Sequence, residues 1–329
     1  MIVATAALAL TPASVAAAQE VVLSTEPSAP KVAADGGAVA WSSYDAAARR
    51  WVLRIWREGR TESANVGPRS VPFDVDLGTD RGGRLVATYS RCRVENASFP
   101  TRSRGCDIYV YDILSGVERG GAPVTTRGGS EFLPTMAAGR IAFARVYDAK
   151  RTHLGSRPVI YVRDLRHRSP SRRLPAGTWN GDRRTGPVSL DLDSKRLAIA
   201  WDVLGSNRLG PYGADQMLLD RLSGSQTVVE QHGHGNLSAI VPVSPSLSGG
   251  FLYYGRTYVG DGDAPSRHRY VRLNPATGAR ATAQAPYRLA GTATDGVRVV
   301  VVWCHPEPDL PTDPSGCLVV LRGPVEYVG

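Results

Sequence analysis

Gly82–Gly116 reads GGRLVATYSRCRVENASFPTRSRGCDIYVYDILSG: a glycine turn, an apolar strand, a loop closed by Cys92 and Cys106, a second strand and another turn. The same order is repeated six times between Ala33 and Val320. The first strand of this hairpin returns as GGAVAWSS at Gly36, GRIAFARVY at Gly139, KRLAIAWDV at Lys195, GGFLYYGRTY at Gly249 and GVRVVVVWC at Gly296. The anchors Gly37, Gly83, Gly139, Lys195, Gly250 and Gly296 are spaced by 46, 56, 56, 55 and 46 residues. Self-similarity at a near-constant period is the mark of a repeat architecture.

The following strand also recurs, as WVLRIWREG at Trp51, VIYVRDLRHR at Val159, QMLLDRLSG at Gln216, RYVRLNPATG at Arg269 and CLVVLRG at Cys317. Asp112, Asp164, Asp220 and Asn274 end four of these runs. Such side chains bond to nearby backbone N–H groups and close hairpin turns. A short strand precedes each glycine turn (FLPTMAA, VSLDLD, VSPSLS, GTATD), and a more polar one follows, as in SQTVVEQ at Ser225. Runs such as VRVVVVW at Val297 are apolar at nearly every position, which a strand reaches only when both its faces are covered. Four antiparallel strands per copy and six copies predict an all-β fold, a six-bladed β-propeller.

Ser244–Tyr253 (SPSLSGGFLY) and Ile108–Gly116 (IYVYDILSG) carry a further likeness. A Pro-x-aliphatic-Ser lead-in, a glycine turn, an apolar strand and then IYV-x-D-L resemble the exported six-bladed propellers of the TolB/PD40 (WD40-like) type. The resemblance covers nearly the whole chain after residue 18. The charged S-P-D-G turn of that family is reduced here to SGG, AAG or ATDG, which leaves the subfamily open.

A propeller must close its ring. After Leu321 only RGPVEYVG remains, so Val21–Ser24 is expected to pair beside Cys317–Leu321 and complete the last blade; Val325–Val328 is the other supplier. The expected organisation is a removed export signal over residues 1–18 and a single propeller domain over 19–329. Its blades fall roughly at 30–68, 69–127, 128–176, 177–232, 233–285, and 286–329 together with 20–25.

The signal is read from IVATAALALTPASVAAAQE, whose Ala16-Ala17-Ala18 suits cleavage and whose apolar run is too short to span a bilayer. No other stretch approaches a membrane span, and the expected location is secreted, periplasmic or cell envelope. Cys92 and Cys106, like Cys304 and Cys317, bracket the same loop in two copies. Of the three pairings that four cysteines allow, these two are expected as disulfides. CxxC spacing, which would suggest zinc, is absent.

The formal charge is +9, and of 39 basic residues only Lys31, Lys150 and Lys195 are lysine. The arginines are dispersed, so nucleic acid is set aside as a partner; carboxylate or phosphate recognition is the chemistry arginine suits. The connections between second and third strands are long at Arg93–Gly105, Asp148–Arg157, Leu204–Ala214, Val259–His268 and His305–Gly316. Long loops on a rigid scaffold are where binding residues gather. The candidate binding face comprises Arg93, Arg102, Arg104, Tyr147, Arg151, Tyr212, Tyr258 and Arg267, with Arg91, Arg145 and Arg256 nearby.

Asp261 and Asp263 are the minimum for weak calcium ligation without the remaining ligands, and His232-Gly233-His234 reads as a blade connection. No nucleophile elbow, HExxH, P-loop or GxGxxG context is present, and no cofactor is expected. The reading is a monomeric, non-catalytic binding or scaffold module at the cell envelope, engaging a protein or an anionic polymer. The alternative is an extracellular hydrolase or lyase acting on a glycan or lactone at the central channel.

Overall fold

The computed structural model describes residues 20–96, 103–120, 124, 128–147, 158–167, 170–175, 186–207, 210–222, 224–234, 238–260, 268–286, 288–304 and 316–328. It contains 24 strands in six four-stranded antiparallel sheets, and no helix among the described residues. Strand β1 (Val21–Glu26) belongs to the last blade. Blade one is β2 (Val32–Asp35), β3 (Ala38–Asp45), β4 (Arg50–Arg57) and β5 (Arg60–Ser63). Blade two is β6 (Asp76–Thr79), β7 (Leu85–Val94), β8 (Arg104–Asp112) and β9 (Val117–Arg119). Blade three is β10 (Gly129–Ala137), β11 (Arg140–Tyr147), β12 (Val159–Asp164) and β13 (Arg172–Arg173).

Blade four is β14 (Pro187–Leu192), β15 (Arg196–Asn207), β16 (Gly210–Arg221) and β17 (Ser225–His234). Blade five is β18 (Ser238–Ser248), β19 (Phe251–Gly260), β20 (Arg269–Leu273) and β21 (Arg280–Gln284). Blade six is β22 (Leu289–Thr294), β23 (Val299–Cys304), β24 (Cys317–Arg322) and, outermost, β1. Val21 faces Leu321 and Glu26 faces Cys317, so the expected closure holds. The Glu26 carboxylate then accepts the Tyr44 N–H of blade one at 2.7 Å. The C-terminal tail instead runs to blade five, where Val328 bridges Thr282.

The core is a set of layers between blades, which explains why the second strands read as continuous apolar runs. Trp51, Leu53 and Ile55 of blade one pack on Leu77, Ala87 and Tyr89 of blade two. Trp41 and Val39 meet Val300, Val302 and Val319 across the blade-six seam. Inner strands approach closely: a Cβ on Gly78 would stand 1.7 Å from the Met136 carbonyl oxygen. Only glycine permits that contact between β6 and β10. In β10 and β18, bulges fall at Leu133-Pro134 and Ser244-Pro245, with φ of 49° and 44° before each proline. A proline has no N–H for the ladder, so the bulge sits where a bond could not form.

Asp112, Asp164 and Asn274 accept turn N–H groups as their positions suggested. Two loop expectations need correction. Leu204–Ala214 is mostly strand, because β15 and β16 continue to Asn207 and Gly210 in unbroken register. His232-Gly233-His234 lies within β17, paired to Asp215, Ala214 and Gly213, and is not a connection.

Arginines at the start of second strands lock neighbouring blades. Arg140 donates to the Ser194 carbonyl of blade four, Arg196 to Gly250 O of blade five at 2.9 Å, and Arg298 to Gly37 O of blade one at 3.0 Å. Arg298 also pairs with Asp295 at 3.0 Å and lies 4.8 Å over the Trp56 ring. Arg298→Ala is expected to lower stability by about 2 kcal/mol, from hydrogen bonds to a charged group lost at the seam. The half-buried Arg57, 3.9 Å from the exposed Glu58, is the control, with a change within about 0.5 kcal/mol on mutation to alanine. Urea unfolding of the two variants provides the comparison.

Candidate functional site

Two regions carry convergent polar chemistry, the stapled loop face and the axial channel. Disulfides join Cys92 to Cys106 and Cys304 to Cys317, each between facing residues of a hairpin. Loops closed over 14 and 13 residues gain about 3 kcal/mol each from the restricted unfolded chain. Arg93 and Arg104 flank the first staple and are exposed. Arg102, Arg151, Arg267, Asp261 and Asp263 lie outside the described residues. Tyr212 and Tyr258 fall in β16 and β19, with their side chains outside the described part.

Several other arginines of this face are engaged by carboxylates and carbonyls within and between blades. Arg69, on the connection between blades one and two, donates to Glu95 at 2.8 Å and to the Ser90 carbonyl at 2.6 Å. Arg91 pairs with Glu118 at 2.8 Å over the Tyr109 ring. Arg145 is buried against Glu131 at 2.7 Å, donates to Val124 O at 2.6 Å and lies 4.7 Å over the Tyr161 ring. Tyr147 shares this assembly, its hydroxyl 3.2 Å from that of Tyr161.

Between blades four and five, Glu230 receives Arg256 at 2.7 and 2.9 Å, His232 at 2.6 Å, and the Tyr254 hydroxyl. Burial pushes the Glu230 carboxyl up, but the bonds from Arg256, Tyr254 and His232 outweigh it and leave it below its ordinary value. The ionised form is therefore a structural hub. These contacts engage Arg91, Arg145 and Arg256 with carboxylates, while Arg93 and Arg104 beside the first staple are exposed among the described residues.

The channel holds a cluster with no sequence motif. Lys31, just before the inner strand of blade one, points its ammonium to the Leu190 carbonyl at 3.5 Å. Leu190 lies in the inner strand of blade four, on the far side of the ring, so this side chain spans the axis. Asp76 of β6 and Asp191 of β14 lie within its field. Burial raises the Asp76 carboxyl to about 6, with Lys31 and the Thr135 hydroxyl pulling it back only in part.

Asp191 is raised well above its ordinary value by burial and then by Asp76, despite N–H groups from Leu192 and Leu247 on its oxygens. Asp35 is raised as well, chiefly by burial. Buried carboxyls with elevated pKa are the raw material of acid–base chemistry. Here a lysine linked to the opposite blade stands among them. Among the described residues no group of His, Cys, Asp and Glu is arranged to hold a metal ion, and no helix is long and apolar enough to cross a membrane.

No protein-family model matches the chain, and no curated protein matches it. Solved structures do. Penicillium chrysogenum α-L-arabinanase, complexed with arabinobiose, aligns at 10% identity and a TM-score of 0.52 over 93% of this chain and 98% of its own. The Fusarium graminearum α-L-arabinofuranosidase Arb93A aligns at 8% and 0.50, covering 90% and 93%. TolB from Acinetobacter baumannii aligns at 14% and 0.47, over 88% of this chain and 65% of TolB. At these identities the likeness is one of architecture: the chain has a β-propeller fold.

Proposed function

We propose that the protein is a non-catalytic binding module that works outside the cytoplasm and engages a protein or an anionic polymer through its stapled loop face. The observation that carries this reading is Lys31, which bridges blade one to Leu190 of blade four across the axis. The place where a propeller enzyme gathers its reacting groups is thereby used to brace the ring. The two disulfides suit an oxidising compartment. The Arg93 and Arg104 guanidiniums beside the first staple supply the anion-recognising chemistry.

The test is capture from a cell-envelope extract on immobilised wild-type protein and on an Arg93→Ala/Arg104→Ala variant. Wild type is expected to retain a ligand that the variant holds about tenfold more weakly, the loss of charged rim contacts. Equal retention by both would remove the loop face from the account. Asp76 and Asp191 are the observation on which a glycan hydrolase reading stands, with Asp76 as the proton donor. In that case, release of reducing sugar from arabinan by wild type would vanish in Asp76→Asn.

A further inference from the structure

We propose that a groove on the face opposite the staples, formed by blades three, four and five, docks an acidic peptide segment of a partner protein. The groove encloses about 1200 Å³. That is at the upper end or beyond the roughly 300–1,000 Å³ of small-molecule pockets, and suits an extended chain. It is built from the ends of β11 and β12, the turn between β14 and β15, the end of β16 and the turn before β19. These are the strand ends remote from Cys92–Cys106 and Cys304–Cys317.

Its charge is one-sided. Five cationic residues and a single carboxylate, Asp164, line it among the described residues. Counting Asp193 and Asp220 behind the rim, the cations remain in excess by two. The arginines are pre-positioned. Arg140 is held by Asp164 at 3.3 Å and by the Ser194 carbonyl, and Arg196 by Asp193 at 2.6 Å and Gly250 O at 2.9 Å. Arg172 uses Nη2 on Leu222 O at 3.2 Å and keeps 44% of its side chain exposed. Guanidiniums fixed in this way lose little freedom when a carboxylate arrives.

Lys195 is the most telling residue. At the position where five blades carry the anchor glycine, blade four alone places a lysine. Its turn is fixed by its own N–H on Asp193 Oδ1 at 2.7 Å, and its side chain is exposed into the groove lining. Nothing in the packing of blade four requires an ammonium there.

The floor decides between classes of anion. Val162, Leu222 and Pro275 make it apolar, and no aromatic ring is among the lining residues described. Sugars and bases stack on aromatic faces, and this groove offers none. Aliphatic side chains alternating with carboxylates fit both floor and rim.

The test is fluorescence anisotropy of the full chain with a short fluorescein-labelled peptide of alternating glutamate and leucine. Saturable binding is expected, weakened by salt, and about tenfold weaker in Lys195→Glu. Ala276→Trp, an exposed residue at the groove, is expected to block it sterically while the melting temperature stays unchanged. The glutamine version of the peptide is expected not to bind. Binding unchanged in both variants, or no binding by wild type, would overturn the proposal. So would an oligogalacturonate that competes as well as the peptide, since charge alone would then suffice. Arg93→Ala/Arg104→Ala leaves peptide binding intact, so failure here is separate from failure of the loop-face reading.

Discussion

Replacing Lys31 with methionine is expected to lower the unfolding free energy at about pH 8 by about 3 kcal/mol, the scale of an uncompensated buried charge. The effect should be much smaller at about pH 4.5. Methionine keeps most of the aliphatic stem and removes the ammonium that faces Asp76, Asp191 and the Leu190 carbonyl. The sign follows from the protons. Folding raises the Asp76 carboxyl from 3.8 to about 6, and Asp191 moves the same way. Between those values the folded chain binds more protons than the unfolded one, so the stability that Asp76 contributes is complete below about pH 4 and lost as pH rises through about 6, and Asp191 adds a loss of the same sign.

In wild type the ammonium softens that fall, and the variant should steepen it. Guanidinium unfolding across pH provides the measurement. An equal loss at both pH values would mean that Lys31 acts through its stem alone.

Deleting residues 20–27 is expected to cost about 5 kcal/mol, from roughly one backbone hydrogen bond for each of five ladder pairs. It exposes the outer side of β24 and removes the Glu26 carboxylate that binds the Tyr44 N–H. A synthetic peptide of residues 20–27, added in excess, should restore thermal stability in a concentration-dependent way, because it binds only the folded ring. The tail at Val328 is already paired to Thr282 of blade five and cannot supply the missing strand without leaving it. A deletion variant as stable as wild type would show that the ring is not held by β1.

The blades were legible because each second strand is sandwiched between neighbours and therefore reads as an unbroken apolar run at a fixed spacing. The staples were legible because Cys92–Cys106 and Cys304–Cys317 fall at one position of the repeat. Gly205, Gly210, Pro211 and Gly213 read as a loop, yet the β15–β16 ladder runs through them, since cross-strand pairing overrides local preference. Gly233 misled in the same way within β17.

The channel was not legible at all. Lys31 and Leu190 are 159 residues apart, and no periodicity says which blades stand opposite across a ring. The available hint was compositional: a rare lysine in an arginine-rich chain, next to an inner strand. The inward use of arginine was half readable. Arg145 and Glu131 face each other within one blade, whereas Arg256 and Glu230 meet only because blades four and five pack.

The central claim is that Lys31 braces the ring across the channel while recognition takes place at its surface. Asp76→Asn tests it most directly, with melting temperature and ligand retention measured on the same preparation at about pH 8. The account predicts a melting temperature equal to or above that of wild type, since a buried charge is removed, and undiminished retention of the captured ligand. A folded Asp76→Asn protein that lost its ligand, or lost a glycan-cleaving activity present in wild type, would contradict it.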